Sequence, residues 1–361
     1  MAALSPHPAY FVGGCVRNAL LGVPVSDIDI STLLRPEMVI EMAKAAGLRA
    51  VPTGIDHGTV TIVSGGIAHE VTTFRADIET DGRRAVVRFS DNIAEDAARR
   101  DFTMNALYAD ASGLVIDPLS GMPDLQARRV RFILDAETRI REDYLRSLRF
   151  FRFTAIYGDP ALGFDPETLA AIAANLDGLE TLSRERIGAE MLKLLGAPDP
   201  APSVATMQQT GVLNALLPGT NADPLVPLVH LEQMHGLAPD PMRRLAALGG
   251  PAPDLRLSKA RQRHLAQLLD AVGSGKSAAA LGYHLGASQA CDVLLLRAVL
   301  LDRPLDPVAV ETAQMASRKT CPVTASDLMP TFKGAALGDK LREAEARWIA
   351  SGFTLSRDDL V

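Results

Sequence analysis

The hydrophobic periodicity of this chain changes near residue 136, and that change limits the fold more than any other feature. Before it, short apolar runs alternate with glycine turns. "YFVGG", from Tyr10, is a strand-length run ending in Gly13 and Gly14. "VRNALLG" is a short helix closed by Gly22, and "SDIDIST" alternates polar and apolar residues as a half-buried strand does. "PEMVIEMAKAAG" has the pattern of an amphipathic helix, with Pro36 near its start and Gly47 at its end. "HGTVTIVSGGIAHEVTTF" reads as a hairpin turning at Gly65-Gly66, and "ETDGRRAVVRF" as a polar loop followed by a strand. From Ala136, "ETRIREDYLRSLRFFRFTAIYG" reads as one long helical segment, and "PETLAAIAANLDGLETLSRERIGAEMLKLLGAP" as two more helices. After Pro198 the chain is rich in Ala, Leu and Pro, with helix-length pieces broken by prolines. The expectation is an N-terminal α/β unit and a mostly helical remainder, in two or three domains for 361 residues.

With 47% hydrophobic and 22% charged residues, the chain can bury real cores. It holds no run of eighteen apolar residues, so no membrane partner is expected. The N-terminus has no basic region ahead of a long apolar core, so no signal peptide is expected. Cys15, Cys291 and Cys321 are far apart and form no CxxC pair, which disfavours a disulfide framework or zinc site and fits a cytoplasmic location. The net charge of -6 argues against a nucleic-acid partner for the chain as a whole, but says little about local patches. From Arg128 to Arg152, eight arginines stand against four acids, with no lysine. Ion pairs along a solvated helix face and contacts to phosphate both account for that bias.

Residues i and i+2 of a strand share a face, which sets Asp27 beside Asp29 and turns Ile28 and Ile30 to the core. Adjacent carboxylates resist joint ionisation unless a cation bridges them. Hard oxygen ligands of this kind suit Mg²⁺. A DxD alone is common, and two solvated acids at a strand edge are the plain alternative. The context favours the cation. Gly13 and Gly14 lie between a strand and a helix, where backbone N–H groups approach an anion. Arg17 lies one turn into that helix, within reach of a phosphate, and Glu70 sits on an expected neighbouring strand as a third carboxylate. These are the parts of a two-metal phosphoryl-transfer site.

Five ordered stretches extend the pattern: "GGCVRNALLG…DIDIST", "RRDFTMNAL" (Arg99–Leu107), "DPLSGMPDLQARRVR" (Asp117–Arg131), "REDYLRSLRFFRF" (Arg141–Phe153) and "SRERIGAEMLKLL" (Ser183–Leu195). With "HGTVTI" and "EVTTFR" they cover most of residues 10–195. On these motifs the chain resembles the class II tRNA nucleotidyltransferases, the CCA-adding enzymes together with bacterial poly(A) polymerases. The C-terminal half resembles them only in "CPVTASDL" and "LREAEARWIASGFTLSRDDL". The resemblance implies an α+β fold: a nucleotidyltransferase head with a mixed sheet containing antiparallel strands (1–135), then an all-α neck with the nucleotide-selecting helix (136–198), body and tail (199–361). It implies an Mg²⁺-dependent enzyme that adds CMP, CMP and AMP to the 3′ end of tRNA from CTP and ATP. A poly(A) polymerase or A-adding enzyme on the same scaffold stays open, as does a non-catalytic RNA-binding protein. Intact Asp27, Asp29, Asp143 and Arg146 count against the last. The long helical C-terminal half counts against a nucleotidyltransferase of small molecules. Asn18 stands where the family often has aspartate, and no His-Asp dipeptide occurs, so the phosphohydrolase domain of some relatives is not expected. Oligomeric state is not legible.

In "EDYLR", Asp143 and Arg146 share a helix face at i, i+3. As an exposed ion pair they would be worth only about 0.3–0.5 kcal/mol. Their chemistry also suits bases: cytosine and adenine present an exocyclic amine beside a ring acceptor, and uracil and guanine present the reverse. Resemblance and this chemistry together assign Asp143 and Arg146 to base selection, with Glu142 orienting Arg146. Arg99 or Arg100 is expected on a phosphate, and Asp101 and Asn105 on the ribose, with Asp101 also a candidate helix cap. Arg149 and Arg152 continue the Arg146 face toward the triphosphate or toward nearby acids. Arg75 and Arg83 lie in or near the segment between the head motifs, and "DGRR" (Asp81–Arg84) resembles the loop used in the switch from C to A addition. His57, His230, His235, His264 and His284 read as structural. "RLSKARQRH" is either a solvated helix face or a contact to tRNA phosphates.

Overall fold

A computed structural model describes residues 1–81, 84–251, 254–329 and 331–361; Gly82 and Arg83 of "DGRR" lie outside the described residues. Two compact units divide the chain, Met1–Pro218 and Gly219–Val361, so the segments read as head and neck share one unit.

In the first unit, β1 (Ala9–Val12), β2 (Asp29–Thr32), β3 (Arg49–Gly54), β4 (Thr59–Ser64), β5 (Ile67–Thr73), β8 (Tyr108–Ala109) and β9 (Val115–Ile116) form one sheet, in the order β3-β4-β5-β2-β1-β8-β9. It is mixed: β2 and β5 run parallel, and the other neighbours are antiparallel. The β4–β5 hairpin turns at Gly65 and Gly66, both at positive φ (58° and 81°), as a tight two-residue turn requires. A separate hairpin joins β6 (Arg75–Asp81) to β7 (Arg84–Phe89). The stretch Glu79–Asp81, read as loop, is therefore strand: antiparallel pairing satisfies a backbone that the polar sequence gave no reason to extend.

Ile30, Val60, Ile62 and Val71 bury one face of the sheet against Val39 and Ala43 of α2 (Pro36–Ala45). Between β1 and β2 runs α1 (Gly14–Leu21); α3 (Ile93–Ala98) and α4 (Met122–Gln126) follow the hairpin. The remaining helices of the unit are α5 (Ala136–Glu142), α6 (Leu145–Tyr157), α7 (Pro166–Ala173), α8 (Arg184–Leu195), α9 (Ala201–Gln209) and α10 (Val212–Leu216). Phe102 meets Phe132 and Phe153 with ring centroids 4.9 Å apart in each pair, which pins α6 to the sheet-bearing part.

Two expectations give way here. β2 begins at Asp29, so Asp27 lies before the strand rather than on it. The long helical segment is two helices, broken at Asp143, whose backbone is extended (φ −156°, ψ 102°). Asp143 Oδ1 accepts the Leu145 N–H at 3.2 Å, the local bond by which short acidic side chains start helices. Gly178 makes room for the break, because a Cβ there would lie 2.0 Å from a Tyr144 ring carbon.

Among its described residues the second unit contains only helices: α11 (Leu225–Met234), α12 (Pro241–Ala247), α13 (Lys259–Gly273), α14 (Ala278–Leu300), α15 (Pro307–Ala316), α16 (Ala325–Leu328), α17 (Ala335–Ala350) and α18 (Arg357–Leu360). Trp348 centres one core with Val323, Leu328, Ala344, Ile349 and Leu360. Among the described residues no helix is long and apolar enough to cross a membrane.

Candidate active site

The β2–β5 register sets Asp29 opposite Glu70 and Ile30 opposite Val71. Since Ile30 and Val71 are buried in the core, Asp29 and Glu70 share the other face, where both are exposed. Asp27 is exposed in the loop ahead and accepts the Ser26 hydroxyl at 3.0 Å. Its charge still reaches Asp29. Partial burial raises the Asp29 carboxyl above its ordinary value, Arg100 opposes that, and Asp27 adds to it. Among the described residues no three His, Cys, Asp or Glu side chains are grouped to hold a metal by themselves. A cation here would take two carboxylates and complete its shell with phosphate and water, which is the habit of Mg²⁺.

Arg100 stands beside this edge. A Cβ on Gly13 would lie 3.2 Å from Arg100 Nη1, and Gly13 holds φ 72° at the start of α1, so glycine suits the position on both counts. The Gly13 N–H is already donated to the Leu107 carbonyl. The donors left for an anion are those of the first helical turn, which helix geometry leaves without partners. Beneath lies Asp96, fully buried, accepting from Tyr108 Oη (2.7 Å), Arg99 Nε (2.9 Å), Arg100 Nη2 (3.2 Å) and Ser31 Oγ (3.2 Å). Burial alone would push Asp96 up; Arg100, Arg99 and the Tyr108 hydroxyl override it and bring it down to about 2.

A second network runs inward. Arg17 does not extend toward the acidic edge: it donates to Asn105 Oδ1, Asn18 Oδ1 (2.8 Å) and Tyr157 Oη (2.8 Å), and its guanidinium lies 4.0 Å from the Tyr157 ring centroid. Burial brings it below its ordinary value. Asn105 donates to Asp101 Oδ1 at 2.8 Å, and Arg149 Nε to Asp101 Oδ2 at 2.7 Å. Burial would raise Asp101, but Arg149 and the Asn105 side chain hold it low. Arg152 donates to Glu190 of α8 at 2.5 Å. Asp101 caps no helix; the short turn Thr103–Asn105 has Phe102 at its cap position. The motif from Asp117 acts as a clasp: Asp117 accepts the Gly121 and Met122 N–H groups, and Asp124 accepts Thr103 Oγ1 and Arg131 Nε.

At the α5–α6 break, Asp143 and Arg146 have separate partners. Asp143 Oδ2 accepts Arg186 Nη2 at 2.6 Å. Arg146 donates to Glu142, as the spacing implied, and to the carbonyls of Arg139 and Arg99 at 3.1 Å each. The shared helix face used in the sequence argument does not exist, because Asp143 is not helical. Six of the eight arginines in the basic segment hold carboxylates, so ion pairing accounts for most of the local bias. Sequence reasoning missed Asp96, Tyr157, Arg186 and Glu190. Asp96 carried a signal, with arginines at i+3 and i+4; so did Glu190, a carboxylate within the apolar stripe Ile187–Met191–Leu194.

Residues 9–131 match the family described as the poly A polymerase head domain, and 162–223 that described as the probable RNA and SrmB-binding site of polymerase A. The chain is 43% identical over 215 residues to the CCA-adding enzyme of Geobacillus stearothermophilus, covering 59% of this chain but 51% of that one, so it spans about half the length of that relative. It is 31% identical over 372 residues to the mitochondrial CCA tRNA nucleotidyltransferase 1 of Mus musculus, covering 98% of this chain and 86% of that one. The crystal structure of the Bacillus stearothermophilus CCA-adding enzyme with CTP matches at TM-score 0.71 and 29% identity, over 96% of this chain and 89% of that one. The Thermotoga maritima CCA-adding enzyme with tRNA matches in fold at TM-score 0.69 and 21% identity, over 98% and 90%. With the mixed sheet, the acidic edge and the broken α5–α6 segment in place, these matches identify the chain as a member of the CCA tRNA nucleotidyltransferase family.

Proposed function

We propose that this chain adds CMP, CMP and then AMP to the 3′ end of tRNA without a nucleic-acid template, consuming CTP and ATP and releasing pyrophosphate. One observation carries the reading. Within Arg99–Arg100–Asp101 the Arg100 charge acts on Asp29 of the acidic edge, while the Arg99 carbonyl accepts from Arg146 and Asp101 from Arg149, both on α6. Three residues span at most about 10 Å. Phosphate-handling and base-reading groups are thus linked through one short backbone segment.

In this reading Asp27 and Asp29 hold Mg²⁺, which when bound supplies Lewis-acid charge against the triphosphate. The tRNA 3′-hydroxyl attacks the α-phosphorus in line. A P–O bond forms to the RNA as the hydroxyl proton passes to solvent, the bond from the α-phosphorus to the α–β bridging oxygen breaks, and pyrophosphate leaves. Gly14 and Arg100 receive phosphate oxygens, Gly13 supplying the turn that opens this helix end, with Arg149 and Arg152 supplying positive charge behind them. Arg17 braces Asn105 from inside. Asp101 and Asn105 hold the ribose side, and Glu70 orients the attacking hydroxyl beside Asp29. Asp143 accepts from the exocyclic amine of cytosine or adenine while Arg146 donates to the ring nitrogen. Uracil and guanine would leave both groups mispaired in a dry site. Lysines and arginines of the helical body grip tRNA phosphates, so affinity falls with salt. Three unpaired thiols support a reducing, cytoplasmic setting.

The test is tRNA lacking its 3′ terminus incubated with each labelled NTP. Addition that stops after CMP, CMP and AMP upholds the reading; an open-ended A tail favours the poly(A) polymerase that the head-family description allows. Asp29→Asn and Asp27→Asn should each lower kcat roughly thousandfold with an unchanged melting temperature, since both carboxylates are exposed. Turnover within about tenfold of the parent would end the metal assignment.

A further inference from the structure

We propose that Arg186 is a positioning residue for nucleotide selection: it fixes the Asp143 carboxylate in the orientation that reads the base. The inference rests on the base-reading role of Asp143 and Arg146 given above, and names the residue that makes the role geometrically definite.

Asp143 occupies the extended residue between α5 and α6, outside the helical geometry that orients side chains by their turn. Its oxygens are fixed from two sides, Oδ1 by the Leu145 N–H at 3.2 Å and Oδ2 by Arg186 Nη2 at 2.6 Å. The first contact is local and comes with the start of α6. The second comes from α8, 43 residues away, and ties the carboxylate to a separate element.

Arg186 sits where local rules argue against it. It is the third residue after Ser183, whose hydroxyl caps α8 by accepting the Arg186 N–H at 3.4 Å. That position favours Glu or Gln, which reach back to the cap, and the positive end of the helix dipole repels a cation. The side chain leaves its own helix and finds a carboxylate across the gap. A residue that breaks a local preference for one distant partner marks a functional constraint.

The other reading group is held in the same manner. Glu142 and the carbonyls of Arg139 and Arg99 hold Arg146, and among the described residues no ion pair joins Asp143 to Arg146. Each member has its own clamp, so neither can satisfy the other and turn away from a base. An ionised carboxylate offers about four lone-pair sites. Leu145 and Arg186 take one each, and the remainder can accept an exocyclic amine. Without Arg186 the carboxylate is left to the pull of Arg149, which already feels the Asp143 charge while holding Asp101. A carboxylate drawn to Arg149 no longer faces the nucleotide.

The experiment compares Arg186→Ala, Arg186→Lys, Asp143→Ala and the double variant in the full chain, with CTP, ATP and UTP on tRNA lacking its 3′ end. Arg186→Ala should raise the KM for CTP and ATP roughly 10- to 100-fold and narrow the CTP/UTP ratio of kcat/KM by a similar factor. Saturating kcat should change less than about threefold, and Arg186→Lys should recover part of the loss. The double variant should be no worse than Asp143→Ala, because a positioning residue acts only through what it positions. An unchanged CTP/UTP ratio overturns the proposal. So does an equal KM rise for all three nucleotides, which is the mark of a phosphate contact, or a full additive loss in the double variant. If Asp143→Ala itself keeps selectivity, the base-reading assignment fails and Arg186 falls with it. If Asp143→Ala loses selectivity and Arg186→Ala does not, only the present inference fails. Should the alanine variant unfold, Arg186→Gln preserves bulk without charge and is scored by the same criteria.

Discussion

In the first unit Arg17, Arg149 and Arg152 share Asp101, Asn105 and Glu190; in the second, Arg243 and Arg244 share Glu232 and Asp292. Both networks link residues from several elements, and both rest on charge-assisted hydrogen bonds. They differ in balance and in access. The first sets three guanidinium groups against two carboxylates, and Arg149 keeps 30% of its side chain exposed. Among the described residues the second sets two against two, with no side chain above 9% exposed. A buried set with balanced charges offers a ligand no surplus charge. An open network with surplus positive charge, one residue from Arg100, is arranged to meet an anion, and the triphosphate is the anion proposed here. Buried arginines thus carry no functional meaning by type; charge surplus and access separate the two uses.

The largest effect should come from the buried network of the second unit. Glu232→Gln leaves two buried guanidinium groups facing an amide, and removing one partner of a buried ion pair costs about 3–5 kcal/mol. Urea unfolding should show that loss, while the nucleotide KM of the folded protein stays at the parent value. A raised KM would break the comparison. The open network should respond in both measurements. Asp101→Asn weakens charged hydrogen bonds to Arg149 and is expected to cost about 2–3 kcal/mol of stability. It should also raise the KM for CTP and ATP about tenfold, equivalent to about 1.4 kcal/mol of lost ground-state binding. An unchanged KM would make this network as purely structural as the other.

What the sequence made legible divides along similar lines. The Gly13–α1–Gly22 unit, α2 and the Gly65-Gly66 hairpin were readable because turn chemistry and periodicity act over a few residues. The pairing of Asp29 with Glu70 was anticipated as neighbouring strands, although the register came only with the structure. Asp27 was read as strand because alternation does not mark where pairing begins. The break at Asp143 was hidden, since apolar spacing continues across it and the glycine that accommodates Tyr144 is Gly178, in a different element. Arg17 was assigned to phosphate from its place one turn into α1; nothing local announces Asn105 and Tyr157 as its partners. Asp101 and Arg149 lie 48 residues apart, and their bond depends on phenylalanine packing that places α6.

Asp96 gives the smallest effect and the sharpest sign. Its carboxyl, ordinarily at 3.8, is held at about 2 in the fold. A depressed carboxylate contributes stability that is fully present above its unfolded pKa and lost as pH falls through the folded one. The window is therefore about pH 4 down to about pH 2, and the difference corresponds to about 2 kcal/mol. Asp96→Asn should lose that amount at pH 7 and show a flatter decline below pH 4, so the two unfolding curves should converge as acid is added. Parallel curves would mean that Arg99, Arg100 and Tyr108 do not hold Asp96 ionised. Because Ser31, two residues beyond Asp29 on β2, also donates to Asp96, the same titration loosens the strand beneath the acidic edge. Activity at low pH should therefore fall with stability in the parent protein, whereas loss of the buried network of the second unit should alter stability alone.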